Sequence, residues 1–446
     1  MITHNRIKLS EKQVALIWKQ LVGKGRISTE GKLVNVIYPG RTNGNSGPDF
    51  QDAVIAIKSR LVKGDVEVHV ESSDWYRHRH HDDAAYNNVI LHVVMWHDCD
   101  STTLLQNGNE VPMICLAMTL RQQAYLLPYR LPCSRITDRL NRHTVTKVLN
   151  NAGEQRFKQK AMHFRTELKE KEVGQVLFRG IMRALGYAKN TRPFENLAGR
   201  LPLNYIECSK GVALKQALLL GTAGLLPSQR WQGRFAGEKE VQELEQLWQS
   251  TNKEIETMKQ SDWSFSHIYP NNSPVRRIIA LSHLLERYSE KKLLTSMLQL
   301  VKEASRFGGH RVLERGLSVA CDGYWLDHFD FNVTSKTRRS AILGNSKVSE
   351  IIVNVVLPFA YAWGELTVDP QTTENAVELY CNYPKLSENC LTYHMKEQLG
   401  LGESFDLTAC RKQGLIHIFK NYCCEGRCGQ CPLVGWIGPR DSDKLS

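Results

Sequence analysis

The sequence predicts an α/β N-terminal domain built on a mixed sheet, then a mainly α-helical region, then a small cysteine-rich metal knuckle. Three observations carry this. Residues 33–96 hold four apolar strand-like segments separated by turn signals. From Ser134 to about residue 400, apolar residues recur at helical spacing and strand signals are sparse. Cys423, Cys424, Cys428 and Cys431 then crowd into one short stretch of the tail. The domains expected are 1–130, 131–405 and 406–446. The first boundary is set by Pro128 and Pro132, which break periodicity twice.

Ser10 to Gln13 reads as a capping box, and Val14, Ile17, Trp18 and Leu21 continue it as an amphipathic helix. Strands are expected at 33–38, 50–57 and 64–70. A short helix at 82–87 precedes a buried fourth strand at 89–96. Within 64–70, period two puts Asp65, Glu67 and His69 on one face and Val66, Val68 and Val70 on the other. If Asp49 opens the neighbouring strand, its carboxylate meets Glu67 across an inter-strand spacing of about 4.8 Å. Two carboxylates that close repel unless a divalent cation or a shared proton lies between them.

Pro48-Asp49, a strand, then Glu67-Val68-His69 on the next strand resembles the PD-(D/E)XK nuclease-like superfamily, whose restriction-endonuclease-like αβββαβ core has this order of elements. The resemblance implies a metal-dependent nuclease acting on DNA or RNA, with Asp49 and Glu67 holding Mg²⁺ or Mn²⁺. Asp65 is a possible extra ligand, and Glu11 at the start of the first helix is a candidate to complete the acidic set. The family's lysine is His69 here. A histidine serves as a base for the attacking water or as a third metal ligand. Substitution at this position also accompanies loss of activity. The whole chain further resembles an uncharacterised bacterial family of unknown function that shares the strings Gly47-Pro48-Asp49-Phe50 and Gly64-Asp65-Val66-Glu67-Val68-His69, the strand Leu91-His92-Val93-Val94 and a cysteine-bearing C-terminus.

With 446 residues, 42% hydrophobic and 23% charged, the composition is that of a globular protein of two or three domains. No apolar run approaches the roughly 20 residues that span a bilayer, and the first residues lack a signal-peptide core. A cytoplasmic protein without membrane partners is expected, so its twelve cysteines read as thiols or metal ligands. The net charge of +12 is uneven, because residues 131–200 carry 15 Lys and Arg against six acidic residues. Such clustering suits a polyanion, with Arg139, Arg142, Arg156, Lys158, Lys160 and Arg165 as phosphate contacts.

Six of the fifteen histidines fall between His69 and His97. His78 and His80 are candidates to line a cleft beside the acidic strand, while His92, inside an apolar strand, reads as a satisfied core histidine. In the tail, Cys428-x-x-Cys431 has metal-knuckle spacing, Cys423 is a third ligand, and Cys424, His417 or Cys390 remain for the fourth. Zn²⁺ and an iron–sulfur cluster both fit four cysteines. Two further functions stay open. One is a non-enzymatic nucleic-acid-binding protein with a degenerate nuclease fold. The other is a histidine-ligated metallohydrolase.

Overall fold

A computed structural model of the chain describes residues 9–435 apart from 23–24, 58–59, 122–132, 135, 188, 232–237, 252–254, 266–267, 269, 322, 332 and 336–340. Contacts divide it into two compact units, one of residues 1–148, 388–405 and 415–446 and one of residues 149–387 and 406–414. The boundary expected at residue 130 therefore moves, and most of the tail belongs with the N-terminal part. A segment of that length cannot bury a core of its own. Phe419 instead packs edge-on to Tyr38 at 5.1 Å, and His394 lies against the same ring at 5.1 Å.

In the first unit, α1 (Glu11–Lys19) starts at Ser10, whose backbone N–H donates to Gln13 Oε1 at 2.9 Å. Val14 and Trp18, four residues apart, are its buried stripe. A seven-stranded sheet follows, with β1 (Gly25–Ile27), β2 (Leu33–Tyr38), β3 (Arg41–Thr42), β4 (Phe50–Ile57) and β5 (Arg60–Glu71). β2, β4 and β5 pair antiparallel in sequence. The chain then crosses through α2 (Asp74–Arg77) and two 3₁₀ turns, His80–Asp82 and Ala84–Tyr86, where the sequence suggested one short helix. It returns as β6 (Val89–Trp96), parallel to β5. A hairpin, β7 (Thr103–Leu104) with β8 (Glu110–Val111), precedes β9 (Met113–Cys115), which is parallel to β6.

The period-two pattern of β5 decides which face is which. Val66 and Val68 lose all solvent exposure among Val34, Val36, Phe50, Ile55, Leu91, Val93 and the α1 residues Val14 and Trp18. Burying each such side chain contributes about 1.5–3 kcal/mol. Asp65, Glu67 and His69 therefore occupy the opposite face. That hydrophobic anchor fixes the register, because a one-residue slip would exchange the valines for two carboxylates and an imidazole.

The second unit is mostly helical around one large apolar core. Asn345–Ile351 runs through a π-helical turn, Ile352–Val356, into Leu357–Thr367, with Pro358 directly after that turn. The helix expected over 241–259 is Lys239–Gln249. Two short strand pairs, 319–320 with 341–343 and 328–330 with 333–334, interrupt the helices. Trp263 and Trp325 are core residues, and Trp263 Nε1 donates to Ala223 O at 2.8 Å. Among the described residues no helix is long and apolar enough to cross a membrane.

Two glycines of this unit permit close backbone approaches. A Cβ on Gly153 would lie 2.1 Å from Cys410 O, and one on Gly414 would lie 2.1 Å from Leu149 O. Backbone cannot yield as a side-chain tip does, so Gly153→Ala and Gly414→Ala are each expected to destabilise by about 1–3 kcal/mol or more. Urea unfolding monitored by circular dichroism checks this: a midpoint shift near that of Gly199→Ala, at an open position, would refute it.

Candidate metal centre

The centre begins in the turn that enters β4. Gly47, with φ 98°, permits the reversal that brings Asp49 beside β5. The Asp49 N–H donates to Glu67 Oε2 at 2.8 Å, and the Val68 N–H donates to Asp49 Oδ2 at 3.2 Å. Each carboxylate is thus held by backbone, with one oxygen left over. Next to it the β4–β5 ladder shifts register between Phe50 and Ala53. Asp52 sits in that bulge at φ 58° and donates its N–H to Asp65 Oδ1 at 3.1 Å. Asp65 accordingly serves the bulge.

Two imidazoles close over the same carboxylate, and a third, His78, lies beside them. His69 Nε2 lies 3.5 Å and His80 Nε2 3.3 Å from Glu67 Oε1, and neither buried nitrogen has a hydrogen-bond partner. Ligand atoms of His69, His78 and His80 lie within 4.8 Å of one another. Arg79, in the left-handed region at φ 61°, turns the chain so that His80 enters the site. Its ring then stacks on Tyr86 with centroids 3.9 Å apart and on His69 at 5.2 Å. Behind His69, Nδ1 meets His92 Nε2 at 2.9 Å, and His92 Nδ1 meets Thr103 Oγ1 at 2.9 Å. His92 is fully buried with both nitrogens partnered.

Burial, then the charge of Glu67, raises the Asp49 pKa. Burial also raises that of Glu67, and Glu11 adds to both. The Glu11 charge therefore reaches the pair from the start of α1. Burial, then His92, His80 and His78, lowers His69 to about 2, so its imidazole is neutral at physiological pH. Burial lowers His80 as well, against the opposing charge of Asp49. Carboxyls that resist ionising beside neutral imidazoles with unpartnered nitrogens form a donor set that a divalent cation would complete.

A family model described as protein of unknown function (DUF2851) matches residues 11–389. The chain belongs to the DUF2851 family. The matched span takes in Glu11, Asp49, Glu67, His69, His78 and His80, and it ends before the tail cysteines. Neither the curated proteins nor the solved structures contain a match.

The basic residues within the DUF2851 span have varied surroundings. Arg139 and Lys158 are exposed. Arg142 donates to Ser404 O and stands 5.2 Å over the Phe405 ring. In the second unit, Arg165 pairs with Glu365 at 3.5 Å. Arg156 and Lys160 are half-buried and both donate to Gln413 Oε1, at 2.7 and 2.8 Å. They line a cavity of about 640 Å³ together with His163, Arg179 and Arg183. A cavity of about 780 Å³ in the first unit, lined by Lys19, Tyr38, Cys390 and His394 among others, contains none of the residues of the metal centre. In the tail, Cys423 and Cys431 are buried, whereas Cys424 and Cys428 are half-buried.

The sequence puts His80 beside His78 as a lining residue without separating their roles. It does not announce the support that His92 and Thr103 give His69. The alternation of β6 carried that second signal, since it puts His92 on the face of Glu67.

Proposed function

We propose that Asp49, Glu67, His69 and His80, with His78 at the rim, hold a divalent cation and that the protein is a metal-dependent phosphodiesterase acting on nucleic acid. One observation carries this reading: two buried imidazole nitrogens without partners face one oxygen of Glu67, whose other oxygen accepts from the backbone N–H of Asp49, the second buried carboxylate. The order of elements supports the nuclease resemblance, with Asp49 entering the second strand of an antiparallel meander, Glu67 and His69 on the third, and a parallel strand after the crossover. Mixed nitrogen and oxygen donors suit Mn²⁺ or another first-row ion better than Mg²⁺.

When bound, the cation supplies neutralisation of the carboxylate pair and Lewis-acid polarisation of a phosphoryl oxygen. The chain does the rest. With His92 donating from Nδ1 to Thr103, His69 donates from Nδ1 to His92 and keeps an unprotonated Nε2 toward the site. His69 in this state orients or ligates; it does not carry the positive charge of the lysine it replaces. His78 is the exposed member of the histidine group. Glu11 adds negative charge to the carboxylate pair from the start of α1.

The test is Mn²⁺ titration by calorimetry, followed by assays on single- and double-stranded DNA and RNA. Saturable Mn²⁺ binding with Mn²⁺-dependent cleavage supports the reading, and metal-independent cleavage or absence of binding overturns it. The exposed cations make a further expectation. If about six phosphates are contacted, affinity falls roughly a thousandfold between 50 and 200 mM salt, and Lys158→Glu lowers affinity and flattens that slope. Salt-independent binding in a fluorescence-anisotropy titration would remove nucleic acid as the substrate. The three-histidine group favours one second reading, a metallohydrolase of non-nucleic esters, for which Mn²⁺ binding persists and a chromogenic ester is hydrolysed instead.

A further inference from the structure

The basic cavity of the second unit is built by two helix faces. On the helix Arg142–Leu168, Arg156, Lys160 and His163 recur at spacings of four and three and share one face. On the helix Val173–Leu185, Arg179 and Arg183 stand four apart. All five line the cavity of about 640 Å³. The helices meet beside it at Gly180, where a Cβ would lie 2.9 Å from Val355 Cγ1 and 3.0 Å from Phe164 Cε1.

Neutral amides orient two of the cations. Gln413 Oε1 accepts from Arg156 Nε at 2.7 Å and from Lys160 Nζ at 2.8 Å, so two cationic groups stand side by side around one oxygen. Lys160 Nζ also donates to Asn354 Oδ1, and that amide is fixed by donating from Nδ2 to Glu350 O at 2.8 Å. Asn354 reaches the cavity from the π-helical turn Ile352–Val356, a kind of turn that recurs at functional sites. The two carboxylates of the wall are already paired, Glu167 with Lys171 at 3.4 Å and Glu195 with Arg183 at 3.3 Å. Burial lowers the Arg156 pKa, so holding this cation in the wall costs free energy that an anion would offset. Tyr187, also in the wall, sits in the left-handed region at φ 52°, a strained position for a tyrosine. Arg277 Nη2 donates to its hydroxyl at 3.0 Å, and Lys347 Nζ stands 3.3 Å from its ring centroid, which fixes the ring.

The described lining residues carry four Lys and Arg cations against two carboxylates. A phosphate monoester carries about −1.5 to −2 at neutral pH, so one ligand matches that surplus. A guanidinium forks onto two phosphate oxygens, and a lysine adds a point charge. The volume falls within the roughly 300–1,000 Å³ of small-molecule sites and leaves room for an organic group beside Tyr187. We propose that this cavity binds a phosphate monoester, with Arg156, Lys160 and Arg179 on the phosphate and Tyr187 against the organic part. A free mononucleotide and the 5′-phosphate end of a nucleic acid share that chemistry. The hydrolytic centre proposed above is not needed for it, since the residues of that centre belong to the other unit.

The experiment is calorimetric titration of the full-length protein at low salt, in EDTA so that metal at the acidic site plays no part. The probes are adenosine monophosphate, adenosine, inorganic phosphate, and a thymidine dinucleotide with and without a 5′-phosphate. Expected is saturable binding of a phosphorylated probe, at least about tenfold tighter than its counterpart without the phosphate and competed by inorganic phosphate. Preference for adenosine monophosphate assigns the site to a free nucleotide, and preference for the phosphorylated dinucleotide assigns it to a nucleic-acid end. Arg156→Gln and Arg179→Gln should each weaken binding by about 10–100-fold, as loss of one charge-assisted hydrogen bond does. Should Arg156→Gln fail to fold, Arg179→Gln decides, because Arg179 is only half-buried. Phosphorylated and unphosphorylated probes binding alike, no saturable binding of any probe, or unchanged affinity in Arg179→Gln would each overturn the proposal.

Discussion

Glu67→Gln is expected to weaken Mn²⁺ binding by about a hundredfold or more and to remove metal-dependent activity, while leaving the metal-free protein more stable than the parent at pH 8. Both effects come from one change. The substituted amide keeps an oxygen to accept from Asp49 N–H, the donor that holds Glu67 Oε2 at 2.8 Å, so the turn into β4 stays in place. What disappears is the charge facing His69 Nε2 and His80 Nε2. Removing an anionic ligand costs at least as much affinity as the 10–100-fold typical of outer-shell partners. Removing a buried like charge beside Asp49 relieves repulsion in the empty site. Calorimetric Mn²⁺ titration and thermal unfolding in EDTA read the two halves separately. A variant that loses binding and stability together would mean that Glu67 is chiefly a structural residue. Asp49→Asn should behave in the same direction, because it is the other half of the pair.

The face of β5 was legible because its cause is local. Alternation and two fully buried valines leave Asp65, Glu67 and His69 no other side, and the capping of α1 by Ser10 and Gln13 follows from residues three apart. The division of labour on that face was not legible. Asp65 and Glu67 look equivalent at period two, yet a bulge with left-handed Asp52 captures Asp65 and leaves Glu67 to the histidines. The choice of His80 depends on left-handed Arg79, a backbone conformation that its residue type does not announce. Arg156 and Lys160 read as one basic helical face at four-residue spacing, but Gln413, more than 250 residues on, accepts from both.

The metal-free protein should lose stability as pH rises from about 4 to 8, and a divalent cation should reverse that trend. In the folded state the Asp49 carboxyl is raised to about 7 and that of Glu67 to about 8, burial being the first cause in each. Unfolded, both return to about 4. Between those values the native state binds more protons than the unfolded state, so unfolding free energy decreases with increasing pH, by about 1.4 kcal/mol per pH unit for each carboxyl that differs. The loss ends above the folded values, where both states are ionised. A cation bound between the carboxylates competes with those protons and stabilises the native state by mass action, more strongly at pH 8 than at pH 5. Thermal unfolding in EDTA and in excess Mn²⁺, at pH 5, 6, 7 and 8, measures both slopes. In Glu67→Gln one titrating carboxyl is gone and the repulsion that raises Asp49 is weakened, so the EDTA slope should become shallower and the Mn²⁺ increment should shrink. A metal-free Tm that climbs steadily from pH 5 to 8 would mean that Asp49 and Glu67 ionise freely without a cation, and the centre would lose its electrostatic argument for binding one.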